Sequence, residues 1–222
     1  MRIASQGILN QDKEITFYFD SKPYKGFLGD TVASALLAND VHLVGRSFKY
    51  HRPRGILGIG SEEPNALISV HKGGRVEPNV RATVQEIYQG LIVTSQNSWP
   101  NLKFDALAIN DIAARFLSTG FYYKTFMWPP RFWETLYEPL IRRAAGLGRL
   151  DSKIDDDNYD QNFLFCDLLI IGGGPSGLLS ALLTAKAGLD VILVDENASF
   201  GGQLRFENTI IDGAHCKDWV DR

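Results

Sequence analysis

The stretch LLIIGGGPSGLLSALLTAKAGLDVILVDEN, residues 168–197, decides the fold of the C-terminal part of this chain. Its opening apolar run follows Asp167 and is typical of a parallel strand that is buried on both faces. Gly172, Gly174 and Gly177 come next. Between a strand and a helix, the first glycine permits a tight turn, the second lets a pyrophosphate approach the backbone, and the third lets the helix pack closely. The spacing therefore predicts a dinucleotide-binding turn.

The rest of this fingerprint follows in the expected order. A helix of small and apolar residues is predicted after Gly177, with Gly188 placed to end it. A second apolar strand, DVILVD, ends at Asp195, where a carboxylate can accept hydrogen bonds from ribose hydroxyls, and Glu196 is the neighbouring candidate. The helix start, at Pro175, Ser176 and Gly177, offers free N–H groups and a positive dipole end to an anion. An isolated glycine pattern is more often an ordinary turn, but the complete βαβ context favours nucleotide binding.

Composition excludes several classes of partner. The chain has 222 residues with 23 basic and 26 acidic side chains, so its charge does not favour a nucleic-acid or anionic-membrane partner. Its apolar runs are too short to span a bilayer, and its start lacks a secretory segment. Cys166 and Cys216 are far apart, which favours buried free thiols in a reducing compartment, and no metal-ligand set is recognised. We expect a cytoplasmic protein.

The N-terminal region predicts a small α+β domain. EITFYFD alternates, with Ile15, Phe17 and Phe19 on one face, and YKGF can return as the second arm of a hairpin after the turn DSKP. GDTVASALLAND is predicted as a helix with Asp30 or Thr31 as N-cap. Further extended segments are expected at ALISVH and within VRATVQEIY. This order indicates a β-grasp-like domain over roughly residues 10–100.

The segment between the two regions differs from both in composition. FDALAINDIAARFL has helical periodicity, and STGFYYKTFMWPPRFWETLYEPL is rich in aromatic residues and proline. The aromatic stretch suits either a membrane or partner surface or packing onto the adjoining domains, and we favour packing. DSKIDDDNYDQN reads as an acidic linker. The predicted fold is α+β followed by α/β, with a β-grasp domain at 1–104, a connector at 105–162 and a truncated Rossmann-like domain at 163–222.

Two further segments leave alternatives open. Arg46, Lys49, His51, Arg52 and Arg54 form a basic loop that either steers an anionic cofactor or docks a subunit, or is a solvated loop with local pairing. The segment SFGGQLRFEN, with Gly201, Gly202 and Gln203, either lies near the cofactor or is a simple glycine turn. We identify no catalytic residue.

Three stretches together resemble the α subunits of heterotetrameric sarcosine oxidases: GRSFKYHRPRGILGIGSEEPNALISVHKGG, GFYYKTFMWP and CDLLIIGGGPSG. The resemblance runs through most of the chain and implies a [2Fe–2S]-ferredoxin-like domain followed by a domain that holds NAD, with FAD possible at the same fingerprint. It implies β, γ and δ subunits as partners, with FAD and FMN in the assembled complex, where sarcosine is demethylated by hydride transfer to flavin. It also implies a much longer subunit, so we expect an N-terminal fragment or split gene product, inactive alone and poorly packed after about Asp155.

Other readings of the resemblance stay open. The α-type subunits of opine or proline dehydrogenases share the architecture, and an assembly or electron-transfer module is the non-catalytic alternative. The resemblance implies that cluster cysteines, where relatives have them, come just after an RPRG-like stretch. Because this region has no cysteine here, we predict a domain with no iron–sulfur cluster. Asp195 predicts a preference for NAD over NADP, since a carboxylate repels a 2′-phosphate.

Overall fold

The computed structural model describes residues 2, 9–112, 114–115, 119–120, 126, 128–148, 151–153, 158–197 and 199–222. The chain divides into two compact units, Met1–Asp156 and Asp157–Arg222, and each unit has its own sheet. In the described part of the chain, no helix has the length and apolar character needed to cross a bilayer. The domain boundaries predicted at residues 104 and 162 stay a prediction.

The first unit is built on a mixed sheet of five strands. The strands of this unit are β1 (Asn10–Phe19), β2 (Lys22–Leu28), the short pair β3 (Gly45–Arg46) and β4 (Pro53–Arg54), β5 (Leu67–Lys72), β6 (Arg75–Arg81) and β7 (Ile92–Ser95). The sheet order is β2-β1-β7-β5-β6, with β1 and β7 parallel and the other neighbours antiparallel. A sheet of this order, crossed by one helix after the first hairpin, agrees with the predicted β-grasp arrangement.

The first hairpin and helix follow from local sequence. Asp20 and Ser21 form the turn between β1 and β2, and both have positive φ, 47° and 64°. Helix α1 (Val32–Ala38) starts with a capping box in which the Thr31 side chain accepts from the Ser34 N–H and the Ser34 hydroxyl accepts from the Thr31 N–H. Its C-cap is Asn39. The predicted strand, turn and helix are confirmed, and of the two N-cap candidates the structure selects Thr31.

One apolar core lies between α1 and the sheet. Fully buried side chains from both elements meet there, because every second residue of the strands points to the helix side. They include Phe17, Val32, Leu36, Ile68, Leu91 and Val93. Ile15 and Phe19 are also buried, as the alternation in β1 predicts.

One strand prediction needs correction, and one strand was missed. Within VRATVQEIY only Val80 and Arg81 belong to a strand, and β6 starts earlier, at Arg75. The following residues leave the sheet because Ala33 and Val32 of the helix start donate backbone hydrogen bonds to the carbonyls of Ala82 and Gln85. The central strand β7 was not predicted at all.

The connector is only partly helical. A 3-10 turn at Ala106–Ala108 leads into the short helix α2 (Ile109–Ile112), and the rest of the predicted helix falls largely outside the described residues. A π-helical turn at Trp133–Tyr137 leads into α3 (Glu138–Ala145). The Tyr137 ring lies 5.2 Å from the Phe126 ring, whereas Trp128 is 81% exposed, so the preferred packing interpretation does not hold for that residue.

The predicted acidic linker begins with anchored residues. The Asp151 carboxylate accepts a hydrogen bond from the Val76 N–H at 2.9 Å, and the Lys153 ammonium donates to the Gly74 carbonyl. These contacts tie residues 151–153 to the turn between β5 and β6. Residues 154–157 of the predicted linker lie outside the described residues.

The second unit contains the predicted βαβ order. Strand β8 (Leu168–Ile171) pairs in parallel with β9 (Val191–Val194), and helix α4 (Pro175–Lys186) joins them. A 3-10 turn at Gly202–Arg205, the short strands β10 (Ile210–Ile211) and β11 (Ala214–His215) and helix α5 (Cys216–Val220) follow.

Strand β8 is not buried on both faces, contrary to prediction. Leu169 is 53% exposed and Ile171 81% exposed, because α4 packs on the side of Ile170. The buried hydrophobic residues described in this unit are Leu204, Ala214 and Cys216. The described part of this unit therefore has a small apolar core. Cys166 and Cys216 are both free thiols, but only Cys216 is buried.

Candidate dinucleotide site

The turn after β8 is shaped by glycines with different roles. Gly172 has φ +104°, a backbone conformation that favours glycine, and its N–H donates to the Val194 carbonyl at 2.8 Å. A Cβ placed on Gly177 would lie 1.8 Å from the Gly172 carbonyl oxygen. Strand and helix therefore approach so closely that only glycine fits at position 177.

Gly174 borders open space instead. It is the N-cap of α4 with φ −72°, and a Cβ built there would meet nothing within 4 Å. Pro175 starts the helix, and the N–H groups of Ser176 and Gly177 belong to the first turn, where no intrahelical acceptor exists. Open space beside free N–H groups at the positive helix end is the environment that an anion such as a pyrophosphate requires.

Asp195 lies at the end of β9 and faces the same turn. One of its carboxylate oxygens accepts from the Gly173 N–H, and the other accepts from the Asn197 N–H and side-chain amide, each at 2.7 Å. These hydrogen bonds, that of Gly173 first, hold the pKa of the Asp195 carboxyl below its usual value. The charged form is thus stabilised. The oxygen that accepts from Gly173 retains a lone pair for a ribose hydroxyl, whereas the other oxygen already accepts two hydrogen bonds. Glu196 beside it is exposed.

The glycine segment after β9 contacts the fingerprint turn directly. The Gly201 N–H donates to the Gly173 carbonyl at 2.7 Å, and a Cβ on Gly202 would lie 3.4 Å from the Gly174 Cα. A Cβ on Gly173 would lie 2.2 Å from the Phe200 ring. The structure therefore brings Gly201 and Gly202 to the turn, and the exposed Gln203 follows in the 3-10 turn.

Sequence reasoning missed Gly173, Asn197 and Phe200 in this arrangement. The signals for the first two were present: Gly173 is the middle glycine of a triplet, and Asn197 stands two residues after Asp195, the spacing of an Asx turn. Phe200 had no such signal, because its contact depends on the return of the chain to the turn.

The basic loop in the first unit is largely structural. Arg46 donates through Nε and a terminal nitrogen to the Leu102 carbonyl, at 3.0 and 2.7 Å, and also to the His51 carbonyl at 3.1 Å. His51 is fully buried, and its Nδ1 lies 2.7 Å from the Asp105 carboxylate. Arg52 forms an exposed ion pair with Asp111. Of the two interpretations, local pairing describes Arg46, His51 and Arg52.

Two family models match separate parts of the chain. Residues 12–98 match the model described as "2Fe-2S iron-sulfur cluster binding domain", and residues 167–215 match the one described as "FAD dependent oxidoreductase". The fold and the site are thus similar to those of a ferredoxin-like domain with a mixed sheet, followed by a segment similar to FAD-dependent oxidoreductases.

The similarity to sarcosine oxidase α subunits is confirmed. The chain is 55% identical over 219 residues to "Sarcosine oxidase subunit alpha" of Rhizobium meliloti (strain 1021), covering 99% of this chain and 22% of that protein. It is 31% identical to the protein of the same name from Corynebacterium sp. (strain U-96), covering 96% of this chain and 18% of the relative. The chain thus spans about a fifth of the length of these curated relatives.

A solved structure shares the fold. The crystal structure of L-proline dehydrogenase from P. horikoshii matches with a TM-score of 0.51 and 18% identity, over 96% of this chain and 31% of that one.

One prediction is wrong on these comparisons. We expected a chain with no iron–sulfur cluster, but residues 12–98 match a family model for a [2Fe–2S] cluster binding domain, and that expectation is withdrawn. Such clusters are held by cysteine thiolates, and the two cysteines of this chain, Cys166 and Cys216, lie outside the matched range. The residues of this range therefore do not offer the usual ligands, and we name none.

Proposed function

We propose that this chain supplies the dinucleotide-binding turn of the α subunit in a sarcosine oxidase-type amine oxidoreductase. The observation that carries the proposal is the geometry at Gly174, where open space meets the free N–H groups of a helix start, with the ionised Asp195 facing the same turn. The ligand that combines a pyrophosphate with a ribose diol is the ADP half of a dinucleotide.

Each residue of the site has a separate task in this proposal. The backbone at Gly174 allows the pyrophosphate to approach, and the N–H groups of Ser176 and Gly177 neutralise its charge. Asp195 accepts a hydrogen bond from the adenosine ribose, with Glu196 beside it, and Gly201 keeps the following segment against the turn. This assigns a Rossmann-like fold to the second unit, of which β8, α4 and β9 are the first elements.

Two observations bear on the identity of the dinucleotide, and they favour different molecules. The description of the matching family favours FAD, whereas NAD rests on the resemblance of the sequence to the α subunits. Both contain the ADP half that this chain can bind, and a bound flavin or nicotinamide would supply the hydride-accepting chemistry.

The reaction and partners come from the relatives. We propose that the complex oxidises the N-methyl group of sarcosine, with β, γ and δ subunits completing a heterotetramer, since the similar proteins are named as sarcosine oxidase subunits. A cytoplasmic location stays a prediction that rests on the two free cysteines. The proline dehydrogenase match shows the fold alone.

The proposal is tested at the ADP site and at the level of activity. Calorimetric titration of the chain with ADP should show Asp195→Ala binding more weakly by about 1–3 kcal/mol, the range for a lost charge-assisted hydrogen bond. Glu207→Ala removes an exposed carboxylate of the same unit and should leave the affinity unchanged. Equal affinity for both variants would refute the site.

A second experiment tests the reaction. The complete α subunit, co-expressed with its partner subunits, should produce peroxide with sarcosine and not with proline. Turnover of proline in place of sarcosine would replace the sarcosine assignment with the dehydrogenase alternative while leaving the ADP site intact.

A further inference from the structure

Glu63 in the first unit is a buried carboxylate that the proposed function does not use. Only 1% of the residue is exposed, and its side chain points into the loop that runs from Leu57 to Ala66. A buried charge requires compensation by a partner or by several hydrogen bonds. Here the compensation comes from the backbone of the same loop.

Four backbone N–H groups converge on this carboxylate. Leu57 and Gly58 donate to Oε2 at 2.7 and 2.5 Å, and Asn65 and Ala66 donate to Oε1 at 2.7 and 3.2 Å. The donors are thus two pairs of consecutive residues, one pair for each oxygen. Consecutive N–H groups that point to one place form a nest, a known anion-binding arrangement of the backbone.

The hydrogen bonds outweigh the cost of burial. Burial alone raises the pKa of Glu63, but the four N–H groups, with Gly58 first, lower it by more, so the pKa lies below its usual value. The outer side of the loop is fixed by two other contacts: Arg81 Nε donates to the Glu63 carbonyl, and the Thr83 hydroxyl donates to the Gly60 carbonyl.

The geometry points to an anion-binding nest at residues 57–66, whose resident ligand is the Glu63 carboxylate and which accepts a small free carboxylate when that side chain is removed. The nest determines the loop conformation, because two pairs of N–H groups, eight residues apart along the chain, must point at one carboxylate. As a result, Leu57 and Ile59 are displayed outward, 75% and 60% exposed, on a loop whose shape is set from within.

Glu63→Ala in the whole chain tests the nest. We expect amide hydrogen exchange at Leu57, Gly58, Asn65 and Ala66 to accelerate roughly tenfold or more, the factor that corresponds to about 1.4 kcal/mol. Sodium formate should restore much of this protection, and sodium chloride at equal ionic strength should not. Glu62→Ala removes the exposed neighbouring carboxylate and should change neither the exchange nor its response to formate.

Glu63→Gln separates charge from shape. Its amide keeps the volume of the side chain but turns an NH2 group toward two of the four donors, so exchange should accelerate and formate should have no effect, since the nest is already filled. Unchanged protection in Glu63→Ala, equal rescue by chloride, or rescue of Glu63→Gln by formate would each overturn the proposal. So would a Glu63→Ala chain that fails to fold in the presence of formate.

Discussion

Two glycines three residues apart in the fingerprint should respond to alanine in opposite ways. At Gly177 a methyl group would lie 1.8 Å from the Gly172 carbonyl oxygen, a backbone atom that cannot rotate away. We expect Gly177→Ala to destabilise the βαβ unit by about 3 kcal/mol, the upper part of the range for overpacking. At Gly174 the methyl group would meet nothing within 4 Å, and φ −72° suits alanine. The free energy of unfolding of the Gly174→Ala variant should differ from that of the wild type by less than about 1 kcal/mol.

The binding effects should separate the two roles. Gly174→Ala places a methyl group where the pyrophosphate approaches the backbone, so the affinity for ADP should fall at least about tenfold, or about 1.4 kcal/mol. Amide exchange in β8 and β9 measures the stability of the unit, and calorimetric titration with ADP measures binding. Unchanged ADP affinity in Gly174→Ala would refute the placement of the pyrophosphate, and unchanged exchange in Gly177→Ala would refute the close packing of strand and helix.

Three further predictions concern other parts of the chain. Because the pKa of Asp195 is lowered in the folded state, its stabilising effect should be present above its unfolded pKa, about 3.9, and should be lost as pH falls through the folded value. The protection of the Gly173 N–H, taken as its exchange rate relative to the intrinsic rate at each pH, should fall below about pH 4 in the wild type, and Asp195→Asn should remove this pH dependence. Arg46→Lys removes a two-nitrogen contact to the Leu102 carbonyl and should lower the free energy of unfolding by about 1–3 kcal/mol in thermal melts, whereas Arg54→Lys, at an exposed position, should leave it unchanged. Phe17→Ala empties the centre of the first core and should cost about 3–5 kcal/mol in denaturant unfolding.

Features with a local cause could be predicted from the sequence. The alternation in β1 predicts its buried face. Thr31 and Ser34 have the N-cap and N3 spacing of a capping box. The glycine spacing of the fingerprint reflects contacts within one βαβ unit. In each case the residues that interact are close in sequence, so the pattern itself contains the interaction.

Features that depend on distant parts of the chain could not be predicted. In the sequence Arg46 is one of several basic residues in a loop, but its partner is the backbone carbonyl of Leu102. A backbone carbonyl is present at every residue, so the sequence does not identify this partner. The Glu63 nest uses backbone N–H groups, which every non-proline residue possesses, so the sequence does not mark them. Strand β7 is short and Ile92 is 46% exposed, so neither length nor alternation distinguishes it from a loop.

The late position of β7 in the chain has a consequence for biosynthesis. This strand pairs with β1 on one side and with β5 on the other, so among the described strands it alone joins the hairpins β1–β2 and β5–β6 in the sheet. While a ribosome has not yet released Ser95, the nascent chain can form both hairpins but cannot join them into one sheet. The sheet of the N-terminal unit must therefore wait for β7, and during that interval Phe17 and Ile68 are exposed to chaperones and to other nascent chains.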